Sequence, residues 1–129
     1  MFKANSEESF YEDKFVMLTY DYLIIKKYFF PSLKDKKIFT ADIKIVYFEE
    51  QSKTKIGDFR IWGKTSNGVY WAYDLKRSLP GNKEGKVNVV LDTEDGLKKG
   101  FSVENSVAFI SAIRNICGFN LIIADHLNV

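Results

Sequence analysis

The alternation of apolar and polar positions divides this chain into short extended runs followed by one helical run. The stretch from Phe15 to Phe30, FVMLTYDYLIIKKYFF, is rich in β-branched and aromatic residues and reads as strand, with two strands meeting near Tyr20-Asp21. Pro31-Ser32 stops it, because proline cannot donate to a ladder. The following PSLKDKK reads as a charged loop. In KIFTADIKIVYFEEQ, Ile43, Ile45 and Tyr47 alternate with Asp42, Lys44 and Val46, the period of a half-buried strand. SKTKIGD is a loop, and FRIWGKTSNGVYWAYDL reads as strand, turn and strand. Its turn is Asn67-Gly68, a pair that tolerates the positive φ of a hairpin. Leu79-Pro80-Gly81-Asn82 opens a further turn, KVNVVLDT is a strand, and Glu94-Asp95-Gly96 turns it into LKKGFSV, read as the last strand.

The period then changes. In ENSVAFISAIRNICG, Phe109, Ala112, Ile113 and Ile116 fall at i, i+3, i+4 and i+7, one face of an amphipathic helix. Asn105 suits the N-cap and Gly118 the position just past the end, so a helix is expected over about 105–117. The tail FNLIIADHLNV fits either a helical extension past Gly118 or a short returning strand. The expected fold is mainly β: about seven antiparallel strands in a bent barrel or sandwich, closed to hide its edges and capped by the helix. Residues 1–14 are expected to be a loose lead-in, and 15–129 a single domain.

Composition narrows the function classes. A chain of 129 residues with 46% hydrophobic and 16% aromatic content can bury a sizeable core without staples. Lys+Arg 19 against Asp+Glu 17 gives net charge +2, too balanced for a dedicated nucleic-acid binder. Cys117 cannot form an internal disulfide, and one cysteine with one histidine cannot build a Cys/His zinc site. The polar, acidic N-terminus carries no secretory pattern, and the apolar runs are only a few residues long, so a cytoplasmic protein is expected.

GDFRIWGKT resembles a phosphate-binding loop, but five residues separate Gly57 from Gly63 where that motif has four. Beyond Thr65 the chain reads as turn and strand, so no helix N-terminus supplies the anion site; the stretch reads as the first arm of a hairpin. Asp125 and His126 with Cys117 suggest a nucleophile and base, but Cys117 lies on or beside the helix's apolar face and His126 almost at the C-terminus. Glu49-Glu50 and Asp92 to Asp95 are carboxylate clusters without a calcium-loop pattern. No catalytic residue, metal or cofactor is expected. Two sets remain as candidates. Lys26, Lys27, Lys34, Lys36 and Lys37 surround the first loop and suit an anionic headgroup or acidic partner. Arg60, Trp62, Tyr70, Trp71 and Tyr73 crowd one hairpin, with Arg77 nearby. Alternation puts Trp71 and Tyr73 on one face and Tyr70 on the other, so core and cross-strand pairing accounts for some of them and an interface suits the rest.

YDYLIIKKYFF, KIFTADIKIVYF and VNVVLDTEDGLKKGFSVENSVAFISAI together resemble a bacterial pleckstrin-homology-like domain over residues 15–117. The resemblance implies a seven-stranded bent barrel with a C-terminal capping helix and brings no catalytic residues. Eukaryotic relatives that hold phosphoinositides use a K-x(n)-[KR]-x-R pattern; Lys26 to Lys37 supplies its lysines but not its closing arginine. The expectation is a non-enzymatic binding or assembly module acting through protein–protein contacts, self-association included. The alternative is a peripheral binder of anionic lipid headgroups or another phosphorylated ligand through the basic loop.

Overall fold

The structure is a computed structural model; it describes residues 9–54, 59–79 and 83–127. The lead-in up to residue 8, Gly57 of the phosphate-loop lookalike, the turn at Pro80 to Asn82 and the last two residues lie outside the described residues. The chain is mainly β with one α-helix near its C-terminal end. A first sheet is a four-stranded antiparallel meander: β1 (Ser9–Glu12), β2 (Val16–Thr19), β3 (Tyr22–Phe29) and β4 (Lys34–Phe39), in that order. The second contains β5 (Ile45–Glu50), β6 (Gly63–Lys64), β7 (Val69–Trp71), β8 (Val87–Asp92), β9 (Lys98–Val103) and β10 (Ile122–Ala124). Its order is β10-β5-β8-β9-β7-β6. Helix α1 spans Ser106–Cys117.

The main core lies between the facing sides of the two sheets. Val16, Leu18, Leu23, Ile25 and Ile38 from the first meet Val46, Val87, Val89, Leu91, Phe101 and Val103 from the second. Phe109, Ala112 and Ile113 of α1 close the same core, with Phe109 edge-on to both Tyr11 and Phe101. Asn105 caps the helix as expected, its side-chain oxygen accepting from the Ala108 N–H at 3.0 Å. Gly118 ends it with φ 75°, a value that favours glycine.

Several elements depart from the expected ones. Among the described residues ten strands form, and two pairs are parallel: β7 with β9, and β10 with β5. A period of two reports which face is buried but not which strand lies alongside. β9 inserts between β7 and β8, and α1 carries the chain back so that the tail returns as β10 beside β5. Residues Ser9–Glu12, expected in the loose lead-in, form β1. The Asp13 carboxylate anchors that end, accepting from the N–H groups of Phe15, Val16 and Glu104, while Tyr11 accepts from the Asn105 N–H. In β5 it is Val46 that is fully buried in the main core, with Tyr47 packed on the opposite face. The second sheet is covered on both sides, so β5 does not alternate cleanly.

The outer face of that sheet carries a smaller cluster of Val69, Trp71, Val90 and Leu127, with Phe59 and Tyr47 against it. Trp71 pairs across the parallel ladder with Gly100. A Cβ at Gly100 would lie 2.5 Å from the indole ring, so only glycine lets Trp71 lie flat on β9. Gly100→Ala is therefore expected to destabilise the fold by about 1–3 kcal/mol through overpacking. A urea titration should show a lower midpoint at unchanged slope, and an unshifted midpoint would mean the indole moves aside freely.

Candidate functional site

The site begins with a buried charge. Asn88 and Ser102 are cross-strand partners on β8 and β9, on the outer face of the second sheet. Arg77, in a 3-10 turn over Leu75–Ser78, is 1% exposed and caps that pair. Its Nε donates to Asn88 at 3.1 Å and an Nη to Ser102 at 3.0 Å. The other Nη donates to the carbonyls of Arg60 at 2.5 Å and Ala72 at 3.0 Å, and the guanidinium lies over the Trp71 ring at 4.8 Å. Burial holds the Arg77 pKa down to about 10, with Asp74 pulling it back, so the group is a cation at neutral pH. Asp74 accepts from the Ser102 hydroxyl at 2.6 Å and pairs with Lys86 at 3.2 Å. Burial alone would raise its carboxyl pKa. The Ser102 hydrogen bond and the Arg77 and Lys86 charges outweigh burial and hold it below the ordinary carboxylate range.

This network positions two surface segments. Arg77 holds the Arg60 carbonyl, and the Asp74 N–H donates to the Ile61 carbonyl at 2.8 Å. Phe59 to Trp62, expected as the first arm of a hairpin, is consequently irregular, and β6 is reduced to Gly63–Lys64. The Tyr73 N–H reaches across to the Lys27 carbonyl at 2.9 Å and ties the segment after β7 to β3.

Lys27 is where β3 breaks its period. Between the pairs Ile25–Lys36 and Phe29–Lys34, three residues of β3 oppose one of β4. Lys27 takes φ 54° there, and its N–H donates to the Asp35 carboxylate at 3.1 Å. The bulge moves the inward phase from Leu23 and Ile25 to Tyr28 and swings the hairpin tip onto β7. Tyr28 meets the Tyr70 ring at 4.8 Å. Phe30 stacks on both Trp62, at 4.6 Å and 21°, and Tyr73, at 5.7 Å and 25°. Phe29, Phe30 and Trp62 remain 42%, 38% and 36% exposed, with Leu33 beside them in sequence at the tip.

The two candidate sets thus meet at one place, and each divides. Arg60, Trp62, Tyr70 and Tyr73 are exposed or half-buried around the β3–β4 tip. Trp71 is 0% exposed; it packs inside with Val69 and Val90 and offers nothing to a partner of the folded chain. Lys27, Lys34 and Lys36 border the aromatic ledge, with the Lys36 ammonium 5.8 and 6.0 Å from the Tyr28 and Phe29 rings. Lys37 turns to the opposite face of β4, 4.3 Å over Tyr22. Lys26 is drawn away, pairing with Glu12 at 3.0 Å and donating to the Asp13 carbonyl. Lys34, Lys36 and Lys37 form no ion pair among the described residues.

Elsewhere the chemistry is structural. The Cys117 thiol faces the Thr40 carbonyl at 3.8 Å, with its pKa raised by burial, while His126 lies beside Tyr47 along a separate groove. In the β8–β9 turn, the Lys99 ammonium contacts both Asp95 oxygens at 2.5 and 2.6 Å and the Thr93 hydroxyl at 2.8 Å, occupying the place of a cation. Among the described residues no group of three His, Cys, Asp or Glu is arranged to hold a metal. Phe29 and Phe30 were not among the candidates, and the apolar pair before a proline was their one visible signal. Arg77 stood out only as a charge near the aromatic hairpin, with nothing to mark it as buried.

Replacing Arg77 by Met should cost about 3–5 kcal/mol, because two carbonyls lose their donor and Asp74 loses one of the two cations that stabilise it. Arg77→Lys should recover little of it, lacking the fork. Asp74 sets the acid limb. Its folded pKa is depressed, so its contribution is full above the unfolded carboxyl value near ~4 and is lost as pH falls through the lower folded value. Urea midpoints measured from neutral pH downward should fall less steeply in Asp74→Asn than in the parent. An identical acid slope would remove Asp74 from that role.

Compared with known proteins, the chain matches no protein-family model, no curated protein and no solved structure.

Proposed function

We propose that the chain is a non-enzymatic binding module that docks another protein surface through the aromatic ledge at the β3–β4 tip. The observation that carries this reading is the stack of Phe30 on Trp62 and Tyr73, left more than one-third exposed at Phe30 and Trp62 and bordered by Lys27, Lys34 and Lys36. Aromatic side chains lose little conformational entropy on docking, and here the stack already restricts their rotamers. The ledge stands on backbone clamped by Arg77 and Asp74, so a partner meets a prearranged surface. Docking surfaces concentrate aromatic residues at their centre and leave charged residues to the rim. The partner is a protein, a second copy of this chain included. The resemblance to pleckstrin-homology-like domains is compatible with such a role but adds no ligand.

A second reading comes from the same lysines. Lys34, Lys36 and Lys37 lack ion pairs among the described residues and are available to an anionic headgroup. Each is a point charge without the bidentate fork that grips phosphate, which favours the protein reading.

The paired replacement Phe30→Ala with Trp62→Ala separates the two. Under the protein reading, light scattering shows parent mass rising with concentration, or chemical cross-linking in cells captures a defined partner. The double variant loses either signal by about tenfold or more while keeping its melting transition. Co-sedimentation of the parent with phosphatidylserine vesicles that salt abolishes, with no protein complex, would replace that reading with the lipid one.

A further inference from the structure

Among the described residues β4 is an edge strand, with β3 as its only neighbour in the sheet. In an antiparallel pair, alternate N–H and C=O groups of the outer strand point away from its partner, so β4 presents a row of backbone donors and acceptors. A groove of about 300 Å³ runs along this edge, between Lys36 to Phe39 on one side and Thr93, Asp95 and Lys99 of the β8–β9 turn on the other. Asp42 stands at its Phe39 end. Tyr28 is buried, and its hydroxyl has no hydrogen-bond partner among the described residues.

Lysine predominates along the edge, with Lys34, Lys36 and Lys37 against Asp35. Lys34 and Lys36 project from one face of β4 and Lys37 from the other, none of them ion-paired among the described residues. The negative groups nearby are mostly committed: Asp35 accepts from the Lys27 N–H, and Asp95 is held by Lys99. Asp42 is the acidic exception, at the far end from Lys34. Lysines on an exposed edge discourage pairing with the same edge of another copy, because like charges would face each other. The same lysines favour an incoming strand of opposite sign. An acidic residue at every second position would pair with Lys34 and Lys36 at the spacing a strand provides.

We propose that the β4 edge accepts an acidic, extended segment of a partner protein as an added strand. Its carboxylates lie opposite Lys34 and Lys36, and its apolar or basic end lies toward Phe39 and Asp42. Main-chain hydrogen bonds supply affinity and the lysines supply selectivity and orientation. This rests on the protein-binding reading and names the partner class. It uses β4, whereas the ledge uses Phe30 and Trp62, so the two are separable.

The probe is a fluorescein-labelled peptide of alternating Glu and Val, titrated by anisotropy at low salt against the full chain. The parent should bind it, and the Lys-Val counterpart should bind at least about tenfold more weakly. N-methylation of alternate peptide nitrogens should abolish binding in one register and leave it intact in the other, because only one edge of the added strand faces β4. A chain carrying Lys34→Glu and Lys36→Glu should lose the Glu peptide and gain the Lys one, which also shows that the variant is folded. Absence of Glu-peptide binding, equal tolerance of N-methylation in both registers, or indifference to the charge reversal would each overturn the strand addition. Retention on phosphatidylserine vesicles without Glu-peptide binding would overturn it in favour of lipid. Glu-peptide binding that survives Phe30→Ala with Trp62→Ala, where that pair leaves protein association unchanged, would keep the strand addition and remove the ledge.

Discussion

One buried cation organises the outer half of this protein. Arg77 is taken from water and surrounded by an amide oxygen, a hydroxyl, two main-chain carbonyls and the face of an indole. A charge in that position is tolerable only when its donors find acceptors and a counter-ion lies near. Asp74 supplies the counter-charge and shares Ser102 with Arg77. Gln51 joins from the 3-10 turn after β5, donating to Asn88 and Ser102 at 3.0 and 2.9 Å, so three connecting segments are fastened to one face of the second sheet. The hydrophobic core between the sheets sets the fold. The Arg77 network sets where the connections run.

The surface consequences come from geometry. The carbonyls that Arg77 holds lie shortly before Trp62 and directly before Tyr73, so desolvating one guanidinium orients two aromatic side chains at the surface. β3 meets them because its bulge at Lys27 brings the hairpin tip across β7. A solvent-facing site is thereby supported from inside by groups that never reach solvent. Its rigidity comes from satisfied hydrogen bonds rather than from a large apolar footing.

Charge placement on β4 has a second consequence. Lysines along an unpaired edge keep like edges apart, which suits a β-rich chain with an exposed strand. The same positions stand beside the aromatic ledge, so a guarded edge and an exposed aromatic stack share one hairpin. The acidic β8–β9 turn does not cancel this charge, since Lys99 neutralises Asp95 locally.

Much of the architecture was legible in residue order. β2 and β3 with their turn at Tyr20-Asp21, the β8–β9 hairpin, and α1 between Asn105 and Gly118 arise from periodicity and turn chemistry, which act over a few residues. The basic run and the aromatic hairpin were visible as compositions, although the run read as a loop folds as strand β4, Lys34–Phe39, paired with β3. Their meeting at one tip was not, because it depends on a bulge and on hydrogen bonds between residues far apart in sequence. Trp71 reads as either core or interface until Gly100, 29 residues on, is seen to make room for it. Arg77 reads as a charge near the aromatic hairpin until Asn88, Ser102 and the Arg60 carbonyl converge on it. Local sequence determined which segments extend, turn and coil. Tertiary structure alone decided which strands lie side by side, which aromatic is inside and which charge is buried, because those outcomes depend on partners that the chain brings together only on folding.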